Sequence, residues 1–151
     1  MRALIQRVSE ASVSSAPDRS GPFEEVGRIG RGLVVLVGVT HDDDPARAER
    51  LAERTWRLRV FEDADGVANL SAQDLDAELL VVSQFTLYAD TRKGRRPSYV
   101  DAARPEVAEP LVDQLVERLV ALGAGVVTGR FGTAMRVHLV NDGPWTVSLE
   151  V

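Results

Sequence analysis

Leu33-Val34-Val35-Leu36-Val37-Gly38-Val39 is the stretch from which the fold is read. It is nearly unbroken in apolar side chains and rich in valine. That pattern predicts a strand buried on both faces. It is far too short to span a bilayer. Gly30-Arg31-Gly32 turns the chain into it. Upstream, residues 3–13 and 26–29 read as two more strands. Between them, Ser14 to Glu25 is rich in serine, proline and glycine and is expected to be a surface loop. Downstream, Asp42, Asp43 and Asp44 offer helix caps and Pro45 suits a first helical position. Ala48, Leu51, Ala52, Thr55 and Leu58 then recur at helical spacing.

Farther along, residues 61–71 suggest a small hairpin around Asp65-Gly66. Residues 79–87 read as a second buried strand, and 88–104 as a polar loop. A second helix is expected to begin between Pro105 and Pro110 and to stop at Gly123. Its apolar face is Ala108, Leu111, Val112, Leu115, Leu119 and Leu122. Strands follow at 126–128, 135–140 and 145–151. In the last, Trp145, Val147, Leu149 and Val151 alternate with polar residues, as in a sheet with one packed face. Strands outnumber helices and do not alternate regularly with them. The expectation is an α+β fold, a mostly antiparallel or barrel-like sheet with two main helices on one side.

A chain of 151 residues is about one domain, and residues 1–151 are read as a single one. Hydrophobic residues make up 44% and charged residues 27%, an ordinary globular mix. The chain has no cysteine, which excludes disulfides, zinc ribbons, redox dithiols and a thiol nucleophile. That fits the cytoplasm, as does an opening, Met1-Arg2-Ala3-Leu4-Ile5-Gln6-Arg7, without the apolar core of a secretory signal. Eighteen basic residues against 23 acidic give a net charge of −5, which argues against a general coating protein for nucleic acid. A small basic site on an acidic body is compatible with it.

Candidate chemistry lies in several places. His41-Asp42-Asp43-Asp44 reads either as a metal site or as acids at a helix N-terminus; the second is favoured because adjacent acids rarely converge on one ion. Glu62, Asp63 and Asp65 read as turn residues, and His138 as an ordinary imidazole on a strand. The loop 88–104 carries Arg92, Lys93, Arg95, Arg96 and Arg104 against Asp90 and Asp101, with Tyr99 as a stacking face. It suits a phosphate or an RNA end, or else its arginines pair with the protein's own acids.

Ser83-Gln84-Phe85-Thr86-Leu87 ends a buried strand. Its hydroxyls either serve as nucleophiles beside backbone N–H groups that stabilise an oxyanion, or bond to neighbouring backbone. Asn141-Asp142-Gly143-Pro144-Trp145 reads as a hairpin turn between the last two strands. An X–Pro bond is cis about one time in twenty on general grounds. No Gly-x-Ser-x-Gly elbow is present to mark a serine hydrolase.

Taken together, Ser83-Gln84-Phe85-Thr86-Leu87 and Asn141-Asp142-Gly143-Pro144 resemble the D-aminoacyl-tRNA deacylase family. Supporting matches run from Met1 to Val8 with Ala11-Ser12-Val13, from Gly30 to Val39, through Asp90-Thr91-Arg92-Lys93-Gly94 and Arg96-Pro97-Ser98-Tyr99, and from Thr128 to Gly132. The resemblance implies a cytoplasmic hydrolase for the ester between a D-amino acid and the terminal adenosine of tRNA. Glycyl-tRNA is implied as a second substrate, with no metal or other cofactor. It implies a homodimer in which a cis Gly143–Pro144 bond enters the partner's active site. There the two carbonyls accept the substrate's ammonium group and exclude an L side chain.

On the same resemblance, Ser83 and Gln84 shape the site. Backbone groups of Phe85 and Thr86 hold the substrate, and the ribose 2′-hydroxyl helps activate water. Arg92, Lys93, Arg95 and Arg96 bind tRNA. Two features depart from the family pattern: the length of Ser14 to Glu25, and Trp145 where a smaller residue usually follows the Gly-Pro pair. The competing readings are a non-catalytic RNA-end-binding module and a general esterase using Thr86 or Ser83.

Overall fold

A computed structural model describes residues 1–92 and 94–151. Its organising element is β1 (Arg2–Ala16), a long strand flanked on both edges. On one edge it pairs antiparallel with β3 (Gly32–Gly38) through Arg2–Val8 and with β2 (Glu24–Ile29) through Ala11–Ser15. On the other edge it pairs with β8 (Ala134–Glu150) over nearly its whole length. β3 pairs in parallel with β6 (Glu78–Ser83), and β6 with β7 (Val126–Thr128). β2 also packs back against β6 and β7, so the sheet curls into a nearly closed barrel.

The Val-rich run behaves as its composition predicts. Leu33, Val35 and Val37 face a core shared with α1 (Pro45–Trp56) and α3 (Pro105–Ala121), while Val34 faces the barrel interior with Val8, Val13, Ile29 and Leu80. Both helices cover one face of the sheet, and the expected α+β architecture holds. Each lies in a crossover that a parallel strand pair requires. Asp44 caps α1, its carboxylate accepting from the Arg47 N–H at 2.9 Å. At the end of α3, Gly123 adopts φ +94°. The N–H of Ala124 returns to the Leu119 carbonyl at 3.0 Å and that of Gly123 to Val120 at 2.9 Å, which closes the helix in a Schellman motif.

Four expectations are corrected. Ser14 and Ser15 belong to β1 and pair with Glu25 and Glu24 of β2, so the connecting loop is residues 17–23 only. The buried strand ends at Ser83 and not at Leu87, because its partner β3 runs out at Gly38 and the chain winds into a short 3-10 helix, Phe85–Tyr88. A short third helix, α2 (Ala72–Leu75), follows the hairpin of β4 (Arg59–Glu62) and β5 (Ala68–Ser71), held by a capping box between Ser71 and Asp74.

The fourth correction concerns Asn141–Pro144, which is no hairpin. The chain keeps its direction, and the residues on both sides of it pair with β1. Val8 faces Asn141 while Gln6 faces Thr146, so the β8 side holds extra residues that bulge from the ladder. No helix among the described residues is long and apolar enough to cross a membrane.

Candidate active site

The site is built where β3 and β6 end side by side. The Gln84 N–H donates to the Val37 carbonyl at 2.6 Å and carries the chain over the end of β3. The turn then sits directly on Gly38. A Cβ there would lie 3.1 Å from Leu87 Cβ, 3.1 Å from Tyr88 Cδ2 and 3.2 Å from the Gln84 carbonyl oxygen. Phe85 and Thr86 open the 3-10 helix, so their N–H groups lack partners within it. The Thr86 hydroxyl is hydrogen-bonded to the Gln84 side-chain amide. An amide cannot take a proton from it, so Thr86 has no base beside it. Burial pushes the phenol of neighbouring Tyr88 up to about 12, which keeps it neutral.

Phe85 is exposed, and its ring meets exposed Tyr99 edge to face at 5.0 Å. This contact fastens the basic loop to the motif. Asp90 and Ser98 exchange two backbone hydrogen bonds, 2.7 and 2.9 Å, and close the loop at its base. Arg92 folds back onto Asp90 with two guanidinium contacts of 2.9 Å. Arg95 and Arg96 are exposed and form no ion pair among the described residues. Self-pairing therefore accounts for Arg92 but not for its neighbours; Lys93 lies outside the described residues.

Hydrogen bonds from Arg92 pull the Asp90 carboxyl from 3.8 down to about 2. A depressed acid stabilises the folded clasp above its unfolded value and loses that contribution as pH falls through its folded one. The clasp is thus complete above about pH 4 and opens toward pH 2. An NMR titration of Asp90 should show a midpoint near 2, and Arg92→Ala should move it up toward the ordinary value.

The acidic runs have structural duties. Asp43 is buried, accepting from the Met1 ammonium at 2.5 Å and the Thr40 N–H at 2.7 Å. His41 Nε2 bonds the Val100 carbonyl at 2.7 Å. Asp63 accepts from the N–H groups of Asp65 and Val67 and from the Asn69 amide, as a turn residue would. His138 is exposed on β8. No group of three or more His, Asp or Glu among the described residues is placed to hold a metal.

The other candidate motif lies in the bulge of β8. The Gly143–Pro144 bond is cis, and both residues are exposed. Arg7, itself 4% exposed, grips the segment just before it. Its Nε donates to the Asp142 carbonyl at 3.1 Å and lies 2.9 Å from the Asp142 carboxylate, while Nη1 reaches the Val60 carbonyl at 2.8 Å. The Asn141 side-chain amide donates to the Arg7 carbonyl at 2.9 Å. Trp145 is half-buried against the helix-side core, with its ring 5.7 Å from the Arg7 guanidinium.

Sequence reading missed Arg7 and Gly38 as site residues. An isolated glycine inside an apolar strand signals a close backbone approach, and Gly38 carried that signal. Nothing local marked Arg7, because its partners are 135 and 53 positions away.

The family described as D-Tyr-tRNA(Tyr) deacylase matches residues 4–150 of this sequence.

The chain belongs to that family.

A D-aminoacyl-tRNA deacylase of Streptomyces avermitilis is 57% identical over 151 residues, covering 99% of each chain. One from Roseiflexus sp. (strain RS-1) is 55% identical over 150 residues, 99% of this chain and 93% of that one. Among solved structures, one titled "c-Myc DNA Unwinding Element Binding Protein" superposes with a TM-score of 0.89 at 37% identity, covering 100% of this chain and 99% of that one. A probable eukaryotic D-amino acid tRNA deacylase gives a TM-score of 0.82 at 16% identity, covering 99% of this chain and 98% of that one, and supports the fold alone. Proteins of this family are hydrolases acting on aminoacyl-tRNA.

Proposed function

We propose that the protein hydrolyses D-aminoacyl-tRNA and mischarged glycyl-tRNA and spares L-aminoacyl-tRNA, and that each active site is shared between two copies of the chain. The observation that carries this reading is the separation of the two halves within one chain. Arg2 touches the Phe85–Tyr88 turn, with its Nη1 3.3 Å from the Leu87 carbonyl and its guanidinium 4.5 Å from the Tyr88 ring. Arg7 holds Asp142, five positions along the same strand. A strand advances about 3.3 Å per residue, so the halves are roughly 16 Å apart. A second copy brings the exposed Gly143–Pro144 of one chain to the Phe85–Thr86 turn of the other. β8 supports that partner: among the described residues it pairs only with β1, so its other edge is unpaired, and Val137 and Val140 along it are exposed, one on each face.

In this reading the carbonyls of Gly143 and Pro144 accept the substrate's ammonium group and leave no room for an L side chain. Glycine has no side chain and passes the same screen. The free N–H groups of Phe85 and Thr86 stabilise the oxyanion as water attacks. The ribose 2′-hydroxyl beside the ester helps to activate that water. Ser83 and Gln84 set the turn's shape. Arg95 and Arg96, with Arg92 and Lys93, hold the RNA end.

Thr86→Ala is expected to keep D-specific hydrolysis within about tenfold of the parent, since positioning and oxyanion contacts remain. Complete loss of activity in a folded, tRNA-binding variant would restore Thr86 as a nucleophile.

Mixing tests the shared site. A variant damaged at the turn and one damaged at the Gly-Pro segment are each inactive alone. After joint refolding, half of the dimers are mixed and each carries one intact site, giving about a quarter of the parental rate. A mixture as inactive as its components contradicts the shared site.

A further inference from the structure

We infer that the outer face of α1 is a second RNA-contact surface, which holds phosphates of the tRNA acceptor stem while the Phe85–Thr86 turn works on its end; this rests on the deacylase reading above. Arg50, Arg54 and Arg57 stand at positions i, i+4 and i+7 and so line one face of the helix, and Arg59 continues the row two residues on. The helix's two acids are both engaged by α3. Glu49 accepts from Gln114 and Glu53 pairs with Arg118, both on α3. Both acids are thus held by partners on the neighbouring helix, while Arg50 and Arg57 extend to solvent.

Arg50, Arg57 and Arg59 are exposed and make no ion pair among the described residues. The favourable field at a helix C-terminus accounts for basic residues in the last turn, Arg54 and Arg57, but not for Arg50 or Arg59. On a chain of net charge −5, such a row is the electrostatic footprint of a nucleic-acid backbone.

The row is continuous with the site. Arg54 Nη1 donates to the Glu150 carbonyl at 2.9 Å, and Arg2 Nε lies 3.1 Å from the Glu150 carboxylate. Arg2 in turn lies over Tyr88 and bonds Leu87, at the end of the catalytic turn. Beside Arg54 the surface opens into a groove of about 350 Å³ lined by Arg54, Arg57, Arg59, Leu58, Leu149 and one acid, Glu53, whose carboxylate is already paired with Arg118. From Arg50 to Arg57 the helix rises about 10 Å. That span covers roughly three phosphates of a strand in a duplex. Paired RNA leading away from a single-stranded end fits this path, because its phosphates are regularly spaced and need no base contacts to be held.

The test is the triple variant Arg50→Ala/Arg57→Ala/Arg59→Ala, with Arg19→Ala on the distant 17–23 loop as control. Binding of uncharged tRNA is measured across salt concentrations. Hydrolysis is followed on D-aminoacyl-tRNA and on a D-aminoacylated CCA trinucleotide. The slope of log affinity against log salt should fall by about two to three in the triple variant. Affinity for tRNA at 0.1 M salt should fall at least about tenfold, with turnover of the trinucleotide ester held within about twofold. An unchanged slope and an unchanged KM for tRNA overturn the proposal. A parent protein that cleaves neither D-ester overturns the deacylase reading instead, and the salt slope still decides the arginine row.

Discussion

Arg7→Leu should be the most damaging single substitution outside the Phe85–Tyr88 turn. It keeps a long apolar stem but removes the fork that ties Asp142 to Val60. The Val60 carbonyl loses a buried donor and the Asp142 carboxylate loses its cation. Leaving such groups unpaired costs about 2–4 kcal/mol, discounted because the Asp142 side chain is partly hydrated. For a chain of this length the melting temperature should fall by roughly 4–16 °C. Activity should suffer more than stability. The Gly143–Pro144 segment is positioned from one side by this guanidinium, and a displacement of about 1 Å costs on the order of 100-fold in rate. What activity is left should discriminate D from L poorly. Arg7→Lys should not rescue it, because a single ammonium cannot serve Asp142 and Val60 together as a planar fork does. Thermal unfolding and paired D and L kinetics check both claims, and a variant with parental selectivity contradicts the role given to Arg7.

Gly38→Ala should give the second large effect, by a different route. The new methyl group meets Leu87 Cβ, Tyr88 Cδ2 and the Gln84 carbonyl, all at 3.1–3.2 Å. Two of these belong to the turn's anchored atoms, so the strain moves the turn itself. Overpacking of this kind costs about 1–3 kcal/mol. The Phe85 and Thr86 N–H groups shift with it, and kcat should fall about 10- to 100-fold. Affinity for tRNA should stay near parental, because Arg95 and Arg96 lie on the far side of the loop's closing Asp90–Ser98 pair. Gly30→Ala is the control: a Cβ there approaches nothing closer than 4.0 Å, the Glu78 carboxylate. Parental kcat in Gly38→Ala would detach the turn's position from catalysis.

How much of this was legible in the sequence follows from the range of the forces involved. Local periodicity announced α1, α3 and the doubly buried β3, because each is written in spacing and caps within a few residues. The turn after Ser83 was misread as strand because Leu87 and Tyr88 continue the apolar pattern. What ends the strand is the end of its partner at Gly38, a fact about another element. The bulge at Asn141–Pro144 was misread as a hairpin for a similar reason. Asn-Asp-Gly-Pro is turn chemistry, and only the length of β1, which pairs with the residues on both sides, keeps the chain straight. The motif residues themselves are proposed from the resemblance. Their support, Arg7 above all, came only with the tertiary structure.

The most direct measurement is deacylation by the purified protein of matched D- and L-aminoacyl-tRNA, with glycyl-tRNA beside them and no metal added. The account predicts that the D and glycyl esters are cleaved and the L ester persists. Equal cleavage of both enantiomers, or cleavage of neither, would contradict it.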